Sequence, residues 1–204
     1  LTVTGVQTCA LPISLILDQS GSTTGTVLAD TGAVIINGGT LQLNDLTETI
    51  GAFTFTAGTL TGTSTLTASS YTLNPGSAVT ITIPSTITLA GSSVTLTKSG
   101  AGTAVIASNS TYTGATTISV GTLTVSGTLA DTTAVTVDTG TTYNVNADDT
   151  IGSLAGSGTV STTSTSVTRT LTSGGDNTST TFSGVIQDNG TGLIALTKIG
   201  RAHV

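Results

Sequence analysis

Few residues in this chain are equipped for chemistry. Asp148 and Asp149 form the only adjacent carboxylate pair. Two carboxylates can hydrolyse a glycosidic bond when they face each other across a cleft. Neighbours on a strand point to opposite faces, however, and this pair follows Asn144-Val145-Asn146, so it reads as a solvated turn. Lys98 and Lys198 each follow Leu-Thr. A cation beside clustered acids can act on acidic polysaccharide, but the nearest acid is distant from Lys98 in sequence, so both lysines read as solvated or turn residues. Gly174-Gly175-Asp176-Asn177 has the composition of a calcium-binding turn. Such turns recur about every nine residues; this one occurs once and reads as a plain turn. Tyr71, Tyr112 and Tyr143 are either a row for stacking a ligand or, the preferred reading, fillers at chain corners. No catalytic, cofactor or metal-ligating residue is assigned.

Cys9, His203 and Arg201 lie in two terminal segments of unusual coding. Ile199–Val204 can be encoded by ATC-GGA-AGA-GCA-CAC-GTC. The reverse complement of that string lies inside one that encodes Val3–Ser14. Both ends resemble the translated common adapter of short-read sequencing libraries. Segments of that kind are set aside before reasoning about fold. The expected division is 1–14 and 199–204 as artefact and 15–198 as the protein. The chain then has no cysteine, which removes a disulfide framework and a thiolate metal site. It also has no histidine, which removes a Ser-His-Asp triad from this segment.

The remaining charge is sparse. Three basic residues, Lys98, Arg169 and Lys198, stand against ten acidic ones; three minus ten gives −7, where the whole chain carries −6. Phosphate binding needs clustered Lys and Arg, so no nucleic-acid partner is expected. No apolar run reaches the roughly 18 residues that a membrane helix needs. The apolar run from Leu11 to Leu17 is too short to be read as a signal peptide.

These residues must be positioned by strands. Threonine makes up roughly a quarter of the chain, and apolar residues alternate with it. Val79, Ile81 and Ile83 alternate, as do Val94 and Leu96, Ile118 and Val120, Leu123 and Val125, and Val135 and Val137. Period-two alternation of β-branched residues with Thr and Ser marks half-buried strands. Gly, Asn and Asp punctuate them, as at Asn37-Gly38-Gly39, Asn74-Pro75-Gly76 and Ser99-Gly100-Ala101-Gly102. Asn37, Asn44, Asn109, Asn144 and Asn146 read as turn formers. The fold class is all-β.

A long internal repeat narrows the architecture. Leu28-Ala29-Asp30-Thr31 returns as Leu129-Ala130-Asp131-Thr132, and Thr49-Ile50-Gly51 as Thr150-Ile151-Gly152. Leu96-Thr97-Lys98 returns as Leu196-Thr197-Lys198, about one residue out of step. The unit is thus roughly one hundred residues. A hairpin fold would show a regular series of Asn-Gly or Asp-Gly turns; only Asn37-Gly38 and Asn189-Gly190 occur. A parallel solenoid instead stacks coils of about 20–25 residues, each with an inward aliphatic row. Ranks of Thr-x-Thr, such as Thr80-Ile81-Thr82 and Thr95-Leu96-Thr97, could bind ice if one stood on every coil. Their spacing is irregular, so high strand propensity and uncharged solubility explain them better.

Residues Leu96 to Gly127 resemble the passenger-associated repeat of bacterial autotransporters. The elements that carry the likeness are Leu96, Thr97 and Lys98, Gly100, Gly102-Thr103, Asn109, Tyr112, Gly114, Thr116, Ile118 and Gly121-Thr122-Leu123. A partial second copy holds Phe182, Gly184, Ile186 and Lys198. Ala104-Val105-Ile106-Ala107 departs from the family's Leu-x-Leu, which predicts altered local packing. The resemblance implies a right-handed parallel β-helix on the outside of a Gram-negative cell. It also implies an outer-membrane barrel elsewhere in the parent protein, with no membrane insertion by this segment. In that family the repeat is a folding and export module, and it names no ligand; the favoured reading is a structural or adhesive surface segment without enzymatic activity or cofactor, in contact with host or neighbouring cells. The alternatives are a polysaccharide-acting β-helix enzyme with its catalytic cluster elsewhere, and a secreted solenoid adhesin without its own barrel. Uncapped solenoid edges carry a further expectation, self-association of the segment.

Overall fold

The computed structural model describes residues 7–10, 14–18 and 27–200. Arg201 and His203 lie outside the described residues. Of the segment 1–14, residues Gln7–Ala10 and Ser14 are placed in strands.

Every paired strand is parallel, and the described residues contain no helix; the chain winds as a β-solenoid of about seven turns. The first wall contains β1 (Gln7–Ala10), β2 (Ser14–Asp18), β3 (Val34–Leu73), β5 (Ile87–Ala90), β6 (Leu96–Lys98), β8 (Thr116–Ile118), β10 (Ala134–Val137) and β13 (Ser153–Gly156). The second contains β4 (Thr80–Ile83), β7 (Thr103–Ile106), β9 (Thr122–Val125), β11 (Thr142–Val145), β14 (Thr159–Ser161) and β16 (Val185–Ile186). A third, shorter wall holds β12 (Asp149–Ile151), β15 (Thr168–Ser173) and β17 (Leu193–Lys198).

β3 is 40 residues long, and a straight strand of that length would run roughly 130 Å. It winds instead. The Gly51 amide donates to Gly32 O at 2.8 Å, and the Asn74 amide to Phe55 O at 2.8 Å, so each coil lies on the one about 19 residues before it. Gly62 shows how tightly: its φ is +106°, and a Cβ there would stand 1.7 Å from Leu43 O. No other residue fits that contact. Asn37 and Asn44, expected in turns, belong to this winding strand.

The alternation decides the interior. Ile81 and Ile83 are buried while Thr80 and Thr82 are exposed. One inward column on the second wall runs Ile81, Ala104, Leu123, Tyr143 and Val160. Ala104 and Ile106 keep their strand, and both are fully buried. Phe53, Phe55, Tyr71 and Tyr112 form an aromatic chain in the same core. Centroids are 6.3 Å apart for Phe53–Phe55 and Phe53–Tyr71, and 5.8 Å for Tyr71–Tyr112. The tyrosines are therefore core, and none is open to a stacking ligand. Val120 breaks the expected alternation. It is 42% exposed, because the strand ends at Ile118 and the chain turns.

Candidate functional site

Two exterior features and one interior one carry the polar chemistry. The first is a set of threonine ranks. Thr80, Thr103, Thr122, Thr142 and Thr159 stand in register across five neighbouring strands of the second wall. Thr72, Thr97, Thr117 and Thr136 do the same on the first. Parallel strands place such side chains about 4.8 Å apart. The irregular spacing in sequence thus conceals a regular spacing in space, because corner loops differ in length while strand register is kept. The adjoining rank is mixed: Thr82, Val105, Thr124, Asn144 and Ser161. Its last three members are buried, so among the described residues no flat Thr-x-Thr face runs the length of the second wall.

The second feature is an open groove of about 420 Å³. Thr128 and Asp131 line it from the connection between β9 and β10, and Asp148 and Asp149 from the start of β12. Thr150, Thr170 and Thr172 complete it. Asp148 is exposed and accepts the Thr170 amide at 3.0 Å. Asp149 corrects the solvated-turn reading. It is only 6% exposed, and its Oδ2 accepts the Leu129 amide at 3.1 Å. Burial pushes its carboxyl from 3.8 up to about 7; the Leu129 and Thr150 amides pull it down, and Asp131 pushes it up again. Among the described residues no three carboxylate, histidine or cysteine groups are placed to hold a metal ion.

The third feature is the repeat motif itself. Lys98 was expected in solvent or a turn; it is fully buried. It occupies an inward position between Leu73 and Ile118. Its stem packs like an aliphatic residue while Nζ donates to Gly100 O and, at 3.0 Å, to Val120 O of the next coil. Burial lowers its pKa to about 8. Tyr112 is fully buried, with its hydroxyl 2.7 Å from Thr116 Oγ1, while its carbonyl accepts from Thr133 Oγ1. The motif glycines sit where coils touch. A Cβ on Gly100, Gly102 or Gly114 would fall 2.0–2.2 Å from a carbonyl of the preceding coil. Gly121 adds a φ of +72° to such a contact. Ile118 and Leu123 fill the core, and Asn109 is exposed in a connection. Residues 96–125 match the family model of the passenger-associated-transport-repeat.

A passenger repeat seated in a parallel solenoid fits an autotransporter passenger domain. Passenger repeats of this family are typically structural, and the family implies a secreted or surface-exposed protein. Comparison with curated proteins and with solved structures gave no match.

The partial second copy lies elsewhere in the solenoid. Lys198 is in β17 of the third wall, beside Ser173, and is exposed. Its Nζ donates to Ile199 O. Phe182 is half-buried and bridges to Gly156, Gly184 lies against Gly158 O, and Ile186 pairs with Val160. Lys98 and Lys198 therefore share a motif without sharing a place in the coil. In the turn Gly174–Asn177, Asp176 Oδ1 accepts from the Thr178 amide and hydroxyl, and the Gly174 and Gly175 amides donate to Ile151 O of the preceding coil.

One pair escaped the sequence reading. Glu48 is fully buried and accepts the amides of Val27 (2.7 Å) and Leu28 (3.2 Å). It caps Leu28 as Asp149 caps Leu129. The repeat alignment held the signal, since the matched Thr49-Ile50-Gly51 and Thr150-Ile151-Gly152 are each preceded by an acid.

Proposed function

We propose that this chain is a structural and adhesive segment of an autotransporter passenger, displayed on the surface of a bacterial cell, and not an enzyme. The observation that carries the reading is the passenger repeat built into a continuous parallel solenoid, with threonines in register along the outside. Each coil offers its successor an open ladder and an inward row. Stacking can therefore proceed coil by coil and release folding free energy where no ATP is at hand. The ranked hydroxyls give a polar, nearly uncharged flank. Many weak hydrogen bonds along it would hold a host or neighbouring-cell surface, or a second copy of the solenoid.

Fusing residues 15–198 to a generic outer-membrane translocator in a Gram-negative host tests both parts. The expected result is surface display and gain of adhesion to cell monolayers, with adhesion reduced when Thr103, Thr122 and Thr142 are changed to glutamate. Display without adhesion would leave a stalk and remove the adhesin. Failure of the wild-type segment to be displayed would remove the export role.

The groove supports a second reading, action on polysaccharide, because it brings Asp131, Asp148 and Asp149 to one place. Against it, Asp148 and Asp149 are each tied to a backbone amide, and Arg169 turns to Ser164 Oγ. Release of reducing ends from a polysaccharide panel, abolished by D148N, would reverse the preference.

A further inference from the structure

Two Asn-Gly steps occur in the chain, Asn37-Gly38 and Asn189-Gly190, and the fold treats them differently. The side-chain carbonyl of an asparagine is open to attack by the backbone nitrogen of the next residue. Glycine in that next place hinders the approach least and lets the backbone turn into it. The attack needs a carboxamide in solvent, a following amide that is not already donating, and a backbone free to rotate.

Asn189 and Gly190 meet all of these conditions. Both are exposed. They stand at the tip of a tight hairpin, where Asn189 and Gly192 exchange backbone hydrogen bonds of 3.1 and 3.2 Å. Among the described residues neither the Gly190 amide nor the Asn189 carboxamide has a hydrogen-bond partner. Gly190 has φ +66°, and a Cβ there would meet nothing within 4 Å, so no neighbour blocks rotation of the step.

Other asparagines lack at least one condition. Asn37-Gly38 lies inside β3, and Gly38 is buried. Gly58 of the next coil packs on it so closely that a Cβ there would stand 2.8 Å from the Gly38 carbonyl carbon. The amide after Asn109 donates to Thr128 O at 2.8 Å, and the amide after Asn177 to Asp176 Oδ1 at 2.9 Å. The Asn146 carboxamide is held by Thr162 and Thr163. Asn74 precedes Pro75, which has no amide proton.

We propose that Asn189-Gly190 is a self-modifying site, at which the chain converts its own carboxamide to a carboxylate. The Gly190 nitrogen gives its proton to base and attacks Asn189 Cγ. A C–N bond forms, the Cγ–Nδ2 bond breaks, and Nδ2 takes up a proton and leaves as ammonia. Water then opens the succinimide at either carbonyl, giving aspartate or isoaspartate; no oxidant or reductant takes part. Both products add a negative charge to the hairpin. Isoaspartate also routes the main chain through Cβ, which breaks the exchange between Asn189 and Gly192. The neighbouring Asp188 holds the Ile194 amide at 2.8 Å, at the start of β17. The modification therefore loosens the entry to that strand.

The full chain would be kept in mildly alkaline buffer, folded or in guanidinium chloride, then digested with trypsin and mapped by mass spectrometry. Cleavage after Arg169 and Lys198 places Asn177 and Asn189 in one peptide, so fragmentation assigns the change. In the folded chain the amide-to-acid mass gain should appear about tenfold faster at Asn189 than at Asn37, because Asn37 reacts only through local opening of its coil. In guanidinium the two rates should converge. N189Q should remove the gain from that peptide. Equal rates at Asn37 and Asn189 in the folded chain would overturn the proposal, as would no gain at Asn189 while the unfolded chain reacts there.

Discussion

Lys98 Nζ reaches across one coil to the carbonyl of Val120, at 3.0 Å. A cation thus sits in an otherwise aliphatic column and staples two turns through their corners. The ammonium answers carbonyls that the turn leaves without a strand partner, and the four-carbon stem keeps the column filled. In a fold whose coils are held mainly by strand ladders, such a staple acts where the ladders stop.

Lys98→Met retains the stem and removes the donor. Two carbonyls, one of them buried, then lose a partner, and the expected cost is about 1–3 kcal/mol. The wild type should also gain stability as pH rises from about 8 to 10, since the folded lysine loses its proton at about 8, below the ordinary 10.5, and the unfolded chain then binds more protons. K98M should lack that rise. Above pH 10 the sign reverses, because Tyr71 is pushed up to about 12 by burial. Chemical denaturation at pH 7, 8, 9 and 10 checks both points; a flat wild-type profile would count against the buried cation.

Gly121→Ala should cost about 1–3 kcal/mol. The residue has φ +72°, and an added Cβ would lie 2.5 Å from the carbonyl oxygens of both Gly100 and Gly102. Gly140 also has a positive φ, +79°, but meets nothing within 4 Å. Gly140→Ala should therefore show the backbone strain without the clash and cost less. Thermal unfolding of the two variants side by side decides whether coil contact or backbone freedom keeps glycine in the motif.

The tyrosine hydroxyls predict opposite outcomes. Tyr112→Phe removes a bond to Thr116 and strands that buried hydroxyl, at about 1–2 kcal/mol. Tyr143→Phe removes a hydroxyl that has no partner, so at pH 8 it should be neutral or stabilising. Equal losses in the two variants would mean that Tyr143 bonds a buried water.

Glu48→Ala should destabilise more than an exposed acid such as Asp45→Ala. The Val27 and Leu28 amides lose their acceptor in a buried setting, for about 2–4 kcal/mol in all. Urea midpoints of the two variants give the comparison. Hydrogen exchange would add a local signature, faster exchange at Leu28 in E48A with Leu129 unchanged.

The sequence by itself determined the class of structure. Alternation at Ile81, Ile83, Leu123, Val125, Val135 and Val137 marks inward rows, and all six are buried. Scarcity of hairpin turns and a long repeat point to parallel coils, and the residues around Lys98 and Tyr112 point to a passenger repeat. Those features are written along the chain itself, and no contact between coils is needed to read them. Tertiary structure alone decided which side chains meet. Corner loops of unequal length set how many residues separate stacked positions, and one residue more or less turns a side chain from core to solvent. That is why threonines irregular in sequence stand in register, why Lys98 is buried while Lys198 is exposed, and why Asp149 lies inside with one oxygen unanswered. Their residue types argue for solvent; the stacking of coils places Lys98 and Asp149 against that preference, and their polar atoms are answered, or left unanswered, by backbone one coil away.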